Sequence, residues 1–336
     1  MRLIACLGLV LLLTACAATN DRQTPIGPIG TESPSISSDA VIMDDGARLP
    51  LRAWLPEGKP RAVILALHGF NDYSKAFEKP GKEWAKHGVA TYAYDQRGFG
   101  QAPDRGRWVG ARRLDTDLAE ASRLLRARYP GVPLYMLGES MGGAVVITAV
   151  AGTAGAPKPV CDGIVLVAPA VWGRVTMSVF ERAALWAGNA LFPGLTLTGE
   201  GLKITPSDNV PMLRALSRDP LVIKATRVDT IKGLVDLMDL ALASAAKLKD
   251  VPMMLLYGQH DEIVPHMPTR LFITGLAPEE RTDSRIALYE HGYHMLLRDL
   301  DAAIVIGDVN TWIGDHRAAL PSGADRRARE GADAKG

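Results

Sequence analysis

Leu134-Tyr135-Met136-Leu137-Gly138-Glu139-Ser140-Met141-Gly142-Gly143-Ala144-Val145-Val146-Ile147 is the stretch on which the reading of this chain turns. An apolar run leads into Gly138-Glu139-Ser140-Met141-Gly142, and a second run of small apolar residues follows it. A short unbroken apolar run fits a strand buried on both faces, and the small residues from 141 to 151 fit a helix packed against a sheet. Glycines on either side of a single serine leave room for a sharp strand-to-helix turn, the G-x-S-x-G pattern of a nucleophile elbow. Such a turn lifts the Ser140 hydroxyl clear of the sheet. It also aims N–H groups at the helix start toward negative charge developing on a bound carbonyl. In a chain with 33 glycines the five-residue pattern alone says little, so its flanking strand and helix carry the reading.

Outward from the elbow, short apolar or β-branched runs at 61–68, 89–95, 133–137, 163–168, 252–257 and 284–289 alternate with helical stretches. Those stretches lie around 77–87, 115–129, 141–151, 267–275 and 300–313, and residues 41–55 read as a hairpin turned at Asp44-Asp45-Gly46. The alternation predicts an α/β class with a mostly parallel central sheet covered by helices. Between Ala168 and Pro252 no strand is read, and helix is favoured at 178–191, 210–216 and 230–249. The expected plan is a core in two halves, 41–170 and 247–316, interrupted by an all-helical cap at 171–246.

The N-terminus reads differently. Residues 1–15 have a short basic start and an apolar stretch too short to span a bilayer, as in an export signal. Leu13-Thr14-Ala15-Cys16 resembles the lipobox of bacterial lipoproteins, in which the cysteine is lipidated and becomes the mature N-terminus. The resemblance implies a membrane anchor at Cys16, and Ala17 after it implies the outer membrane of the cell envelope, facing the periplasm. Residues 16–40, rich in Pro, Gly, Ser and Thr, are expected to be a flexible tether, and the charged residues 317–336 a disordered tail.

Composition excludes several functions. With 38 basic and 37 acidic residues interleaved, nothing suggests nucleic-acid binding. Two of the three cysteines, Cys6 and Cys16, belong to the signal region, leaving Cys161 without a partner for a disulfide.

A serine hydroxyl is a weak nucleophile and needs a base beside it, with a carboxylate to fix the base's tautomer and stabilise its cation. Of seven histidines only His291 and His294 directly follow the last strand, and His294, after a glycine-containing turn, is the preferred base with His291 as the alternative. Asp261 follows the strand ending at Tyr257, where catalytic groups gather at the C-terminal edge of a parallel sheet; Glu262 is the alternative. His260, Asp261, Glu262 and His266 have no further Cys or His at ligand spacing, so neither metal nor cofactor is expected. The oxyanion donors expected are the N–H groups of Met141, directly after the nucleophile, and Phe70, in the loop after the strand ending at His68.

Six blocks in this order are similar to the signatures of the monoglyceride lipase and lysophospholipase group of α/β-hydrolases. They are His68-Gly69-Phe70, 95–100, 138–142, Ser217-Arg218-Asp219-Pro220, 258–261 and Gly292-Tyr293-His294. The resemblance implies an α/β-hydrolase fold, a Ser140, Asp261 and His294 triad, donors at Phe70 and Met141, and a helical cap near 171–246. Gln101 departs from the serine often found there, in a loop read as structural. The activity implied is hydrolysis of lipid esters, monoacylglycerols or lysophospholipids. The apolar cap segment suggests Trp172, Phe180 and Trp186 as an acyl-chain lining, although the same residues could simply pack the cap on the core. Alternatives are a small-ester carboxylesterase and an aminopeptidase of proline iminopeptidase type, the latter disfavoured because the cap offers no obvious acidic pair for a peptide amine. A non-catalytic envelope lipoprotein is disfavoured too, since a fold needs none of these triad residues to stand.

Overall fold

Strand β4 (Ala62–Leu67) sends Val63, Leu65 and Leu67 into one buried cluster and Ala62, Ile64 and Ala66 into another. Successive side chains of a strand point to opposite faces, so a strand covered on both sides has to be apolar throughout. The computed structural model describes residues 33–333, apart from 202 and 280–283. The expected signal at 1–15, Cys16 and most of the expected tether lie outside the described residues.

Around β4 stand β1 (Ser35–Ile36), β2 (Ala40–Ile42), β3 (Arg48–Trp54), β5 (Val89–Tyr94), β6 (Leu134–Glu139), β7 (Gly163–Val167), β10 (Met253–Gly258) and β11 (Arg285–Tyr289). They form one sheet in the order β1-β2-β3-β5-β4-β6-β7-β10-β11. The pairs from β5 across to β11 are all parallel, and β1 to β3 are added antiparallel at one side. Helices α2 (Ala111–Arg128), α3 (Met141–Ala151) and α7 (His266–Gly275) cover one face; α1 (Glu78–Lys86) and α8 (Ala302–Gly314) cover the other. On that second face Trp84 is fully buried and its indole N–H donates to the Ile306 carbonyl at 3.0 Å. Satisfying the one polar atom of a large ring lets the rest contribute its full burial, so Trp84→Ala would cost about 3–5 kcal/mol.

The cap departs from the all-helical expectation. Besides α4 (Val179–Leu191), α5 (Val210–Arg218) and α6 (Val228–Ala243), it contains an antiparallel pair, β8 (Thr196–Thr198) with β9 (Ala225–Arg227). Three-residue strands with every residue of β8 exposed carry no burial pattern for sequence reading to detect. At the start of the described chain, Ser35 and Ile36 pair with Ile42 and Val41, inside the stretch expected to be a tether. The turn between them is closed by the Ser37 hydroxyl, which accepts from Ala40 N–H at 3.0 Å.

The expected disordered tail is also corrected. Residues 324–333 form α9 (Ala324–Asp333), packed beside β11, with Leu320 and Ala324 buried. Asp325 accepts from Arg285 of β11 at 3.0 Å, and Ser322 donates to Asp308 of α8 at 2.5 Å. Two small apolar contacts and these polar ties order the segment and cover the last strand of the sheet.

Candidate active site

Because β4, β6, β10 and β11 run parallel, their C-terminal ends, Leu67, Glu139, Gly258 and Tyr289, lie along one edge of the sheet, where open α/β sheets place their sites. Every predicted catalytic residue sits in a loop that leaves this edge.

Ser140 stands between β6 and α3 with φ 54° and ψ −117°, a backbone conformation that costs a non-glycine residue on the order of 1–3 kcal/mol. Its surroundings over-determine it: Ser140 N–H donates to Val167 O at 2.9 Å, while its carbonyl accepts from Ala170 N–H at 2.9 Å and Ala144 N–H at 3.1 Å. A Cβ at Gly138 would overlap the Gly142 carbonyl, and one at Gly142 would overlap the Leu67 carbonyl. Strand β4, the elbow and α3 therefore meet at a distance that only glycines permit. Met141, whose N–H opens α3, is buried directly behind the serine.

The loop after β4 lies against this elbow, since a Cβ at Gly69 would stand 3.3 Å from Ser140 Cβ and 3.9 Å from its Oγ. Buried His68 holds the loop. Its Nε2 accepts from Gln96 N–H at 2.9 Å, which leaves the proton on Nδ1 to reach Gly69 O at 2.8 Å, and Gln96 Nε2 donates to His68 O. Burial, above all, lowers the His68 pKa, so the ring stays neutral in this role. Phe70 packs edge-on to Phe99, ring centroids 5.5 Å apart, so the 95–100 block supports the loop carrying the predicted donor. Gln101 is exposed and gives only its N–H, to Asp95 at 2.9 Å, which fits its reading as structural.

Asp261 and His294 come together from different loops: His294 Nδ1 is 2.8 Å from Asp261 Oδ2, and both are buried. The other carboxylate oxygen accepts from Ile263 N–H at 2.8 Å and Val264 N–H at 2.9 Å, so the acid is held by its own turn as well as by the histidine. The alternatives fall elsewhere. Glu262 is exposed and accepts from Thr205 N–H, while His291 is exposed at the loop's start.

The cap residues separate. Trp172 is half-buried against the core, whereas Phe180 and Trp186 are 86% and 75% exposed, and α4 has no buried residue. Neither Phe180 nor Trp186 therefore lines an enclosed channel in this structure, and neither packs the cap onto the core. Together with Val175, Val179, Leu191, Phe192 and Leu195 they form an exposed apolar surface.

Two groups of residues at the site escaped sequence reading. Asn71, at φ 65°, donates from its side chain to Thr226 Oγ1 at 2.7 Å and accepts Ile223 N–H on its carbonyl, tying the cap to the loop beside Phe70. Tyr73 donates to Asp219 at 2.7 Å, which gives the 217–220 block its place. Arg298 bonds both Asp72 and Glu139. Nothing in the sequence marks it, because the burial that makes Asp72 and Glu139 need a cation appears only in the fold.

A family model described as serine aminopeptidase, S33 (Hydrolase_4) matches residues 58–301. The monoacylglycerol lipase of Mycolicibacterium smegmatis is 26% identical over 288 residues, covering 81% of this chain and 94% of that protein. Monoglyceride lipase of Mus musculus is 26% identical over 312 residues, covering 91% and 98%. Among solved structures, a soluble variant of Saccharomyces cerevisiae monoglyceride lipase in complex with a substrate analog matches with a TM-score of 0.65 at 21% identity, covering 86% of this chain and 98% of that one. Paleococcus ferrophilus monoacylglycerol lipase matches at 0.62 and 23% identity, covering 80% and 99%. At such identities the structural likeness speaks for the fold, while the sequence match reaches from β4 through the His294 loop. The structural likeness gives this chain the α/β-hydrolase fold, and the family match shows that it belongs to the serine aminopeptidase S33 (Hydrolase_4) family.

Proposed function

We propose that this protein is a serine hydrolase that cleaves carboxylic esters of lipids, monoacylglycerols or lysophospholipids, through an acyl-enzyme on Ser140. The observation that carries the reading is the buried 2.8 Å pair of His294 Nδ1 and Asp261 on the sheet edge where strained Ser140 is presented. With Nδ1–H held by Asp261, Nε2 is the ring nitrogen free to take the Ser140 proton as the hydroxyl attacks the ester carbonyl. The oxyanion of the tetrahedral intermediate is held by the N–H groups of Phe70 and Met141. His294 then protonates the leaving alcohol, and the same base activates the water that releases the fatty acid.

The lipid substrate is supported by the monoacylglycerol lipases among the relatives and by the apolar cap surface around Trp172, Phe180 and Trp186. If that surface meets the acyl chain, each added methylene can contribute up to about 0.8 kcal/mol, and kcat/KM should rise from acetate to octanoate to dodecanoate esters. Phe180→Asp, at an exposed position, should then penalise long esters selectively with an unchanged Tm. A flat profile in the wild type would sink the lipid reading and leave a small-ester esterase. The family description favours a second reading, an aminopeptidase. Turnover of aminoacyl p-nitroanilides in place of long esters would establish it.

The same reading has the protein anchored by lipid on Cys16 in the bacterial cell envelope, at the outer membrane facing the periplasm; its support is the Leu13-Thr14-Ala15-Cys16 motif. Cys16→Ser should abolish palmitate labelling and release the protein from membranes, and unchanged labelling would remove the anchor.

A further inference from the structure

Glu139 occupies the variable position before the nucleophile and is only 1% exposed. A buried carboxylate there needs a cation, and it has one. Arg298 Nη2 lies 3.2 Å from Glu139 Oε2 and 3.4 Å from Oε1, while Nη1 of the same guanidinium donates to Asp72 Oδ2 at 2.6 Å. Asp72, also buried, is two residues past Phe70, and Glu139 is two residues before Met141. One planar group thus joins the two loops that carry the proposed oxyanion donors.

Arg298 is itself fixed at its backbone. Its N–H donates to Met295 O at 2.7 Å, one residue after His294, and its carbonyl accepts from Asn209 Nδ2 at 2.8 Å at the start of α5. Asp72 is fixed as well, with Oδ1 accepting Tyr73 N–H at 2.9 Å. Burial by itself would lower the arginine pKa, but the Glu139 and Asp72 carboxylates beside it hold it above its usual value, so the clamp keeps its charge. A lysine ammonium is a compact point charge and cannot present the same flat fork to two acids in different loops.

We propose that Arg298 is a positioning residue for the oxyanion hole: by bonding Asp72 and Glu139 at once, it sets the separation between the Phe70 loop and the Met141 end of the elbow. The inference rests on the serine-hydrolase reading above. Donors of an oxyanion hole act on the transition state, so loosening their spacing lowers kcat and leaves KM nearly alone. Misplacement by about 1 Å can cost around 100-fold.

The test compares wild type, Arg298→Lys and the charge-neutral triple variant Asp72→Asn/Glu139→Gln/Arg298→Met on a soluble p-nitrophenyl ester. Active sites are counted by fluorophosphonate titration so that misfolded protein drops out. Arg298→Lys should lower kcat per titrated site roughly 10- to 100-fold with KM within about twofold. Binding of a trifluoromethyl ketone, which forms a tetrahedral adduct, should weaken by the same factor. The triple variant carries no unpaired buried charge and should fold, yet show the same loss of kcat. Wild-type kcat per site in either variant would mean that Arg298 only neutralises charge, and would overturn the inference while leaving the hydrolase reading intact. Absence of Ser140-dependent turnover in the wild type would overturn both.

Discussion

His294 Nδ1 and Asp261 Oδ2 stand 2.8 Å apart in the interior of a sheet edge, although 33 residues separate them in the chain. The Asp261 carboxylate accepts from Ile263 and Val264 N–H in its own turn as well as meeting the histidine, so its position does not depend on the histidine alone. In the proposed mechanism the acid fixes the tautomer and stabilises the imidazolium. Asp261→Asn should therefore fold normally and lose kcat by about 10³–10⁴-fold, as a misprotonated imidazole cannot accept the serine proton. Glu262→Gln, at the exposed neighbour bonded to Thr205, should stay within about twofold of wild type in an ester assay. The reverse pattern would reassign the acid.

Asp115 gives a pH prediction from α2. Burial pushes its carboxyl up to about 8; Thr148 Oγ1 donates to Oδ1 at 2.8 Å, but Oδ2 has no hydrogen-bond partner among the described residues. A folded pKa raised above the unfolded value near 3.8 means that the stabilising, protonated form is fully present below that value. Stability is then lost as pH rises toward 8, by an amount with an upper bound on the order of 5 kcal/mol. Asp115→Asn keeps an acceptor for Thr148 without the charge. Its Tm should exceed that of wild type, with the gap widening from pH 5 to pH 8; a gap independent of pH would contradict the assignment.

Removing residues 317–336 should destabilise the protein, where a disordered tail could be cut without effect. The deletion exposes the contacts of Leu320 and Ala324 and leaves Arg285 without Asp325, a loss of roughly 2–4 kcal/mol and several degrees of Tm. An unchanged Tm would mean that α9 contributes nothing to the fold.

That helix marks where the sequence stopped being legible. The core strands were readable because burial on both faces forces unbroken apolar runs, as in 62–67, and the elbow because two glycines are sterically required around Ser140. Asp261 and His294 were singled out from their places after strands, and the structure brings their side chains to 2.8 Å. Segments held by one or two small contacts were not: Leu320 and Ala324 in the tail, Ser35 and Ile36 beside β2, and the three-residue strands of the cap. The exposure of α4 was not legible for a related reason, since an apolar helix reads as buried whether it faces a core or, like α4, faces outward. Arg298 was invisible because its two partners lie 226 and 159 residues away, and only folding brings three loops to one guanidinium.

An acyl-enzyme on Ser140 with His294 as its base makes a sharp demand on the ester turnover of Ser140→Ala, His294→Ala and the double variant, with His291→Ala alongside. Because nucleophile and base act as one unit, each single change should lower kcat by several orders of magnitude, and the double should be scarcely worse. His291→Ala should keep wild-type turnover. An active His294→Ala protein beside an inactive His291→Ala protein, or Ser140→Ala turning over ester at the wild-type rate, would contradict the account.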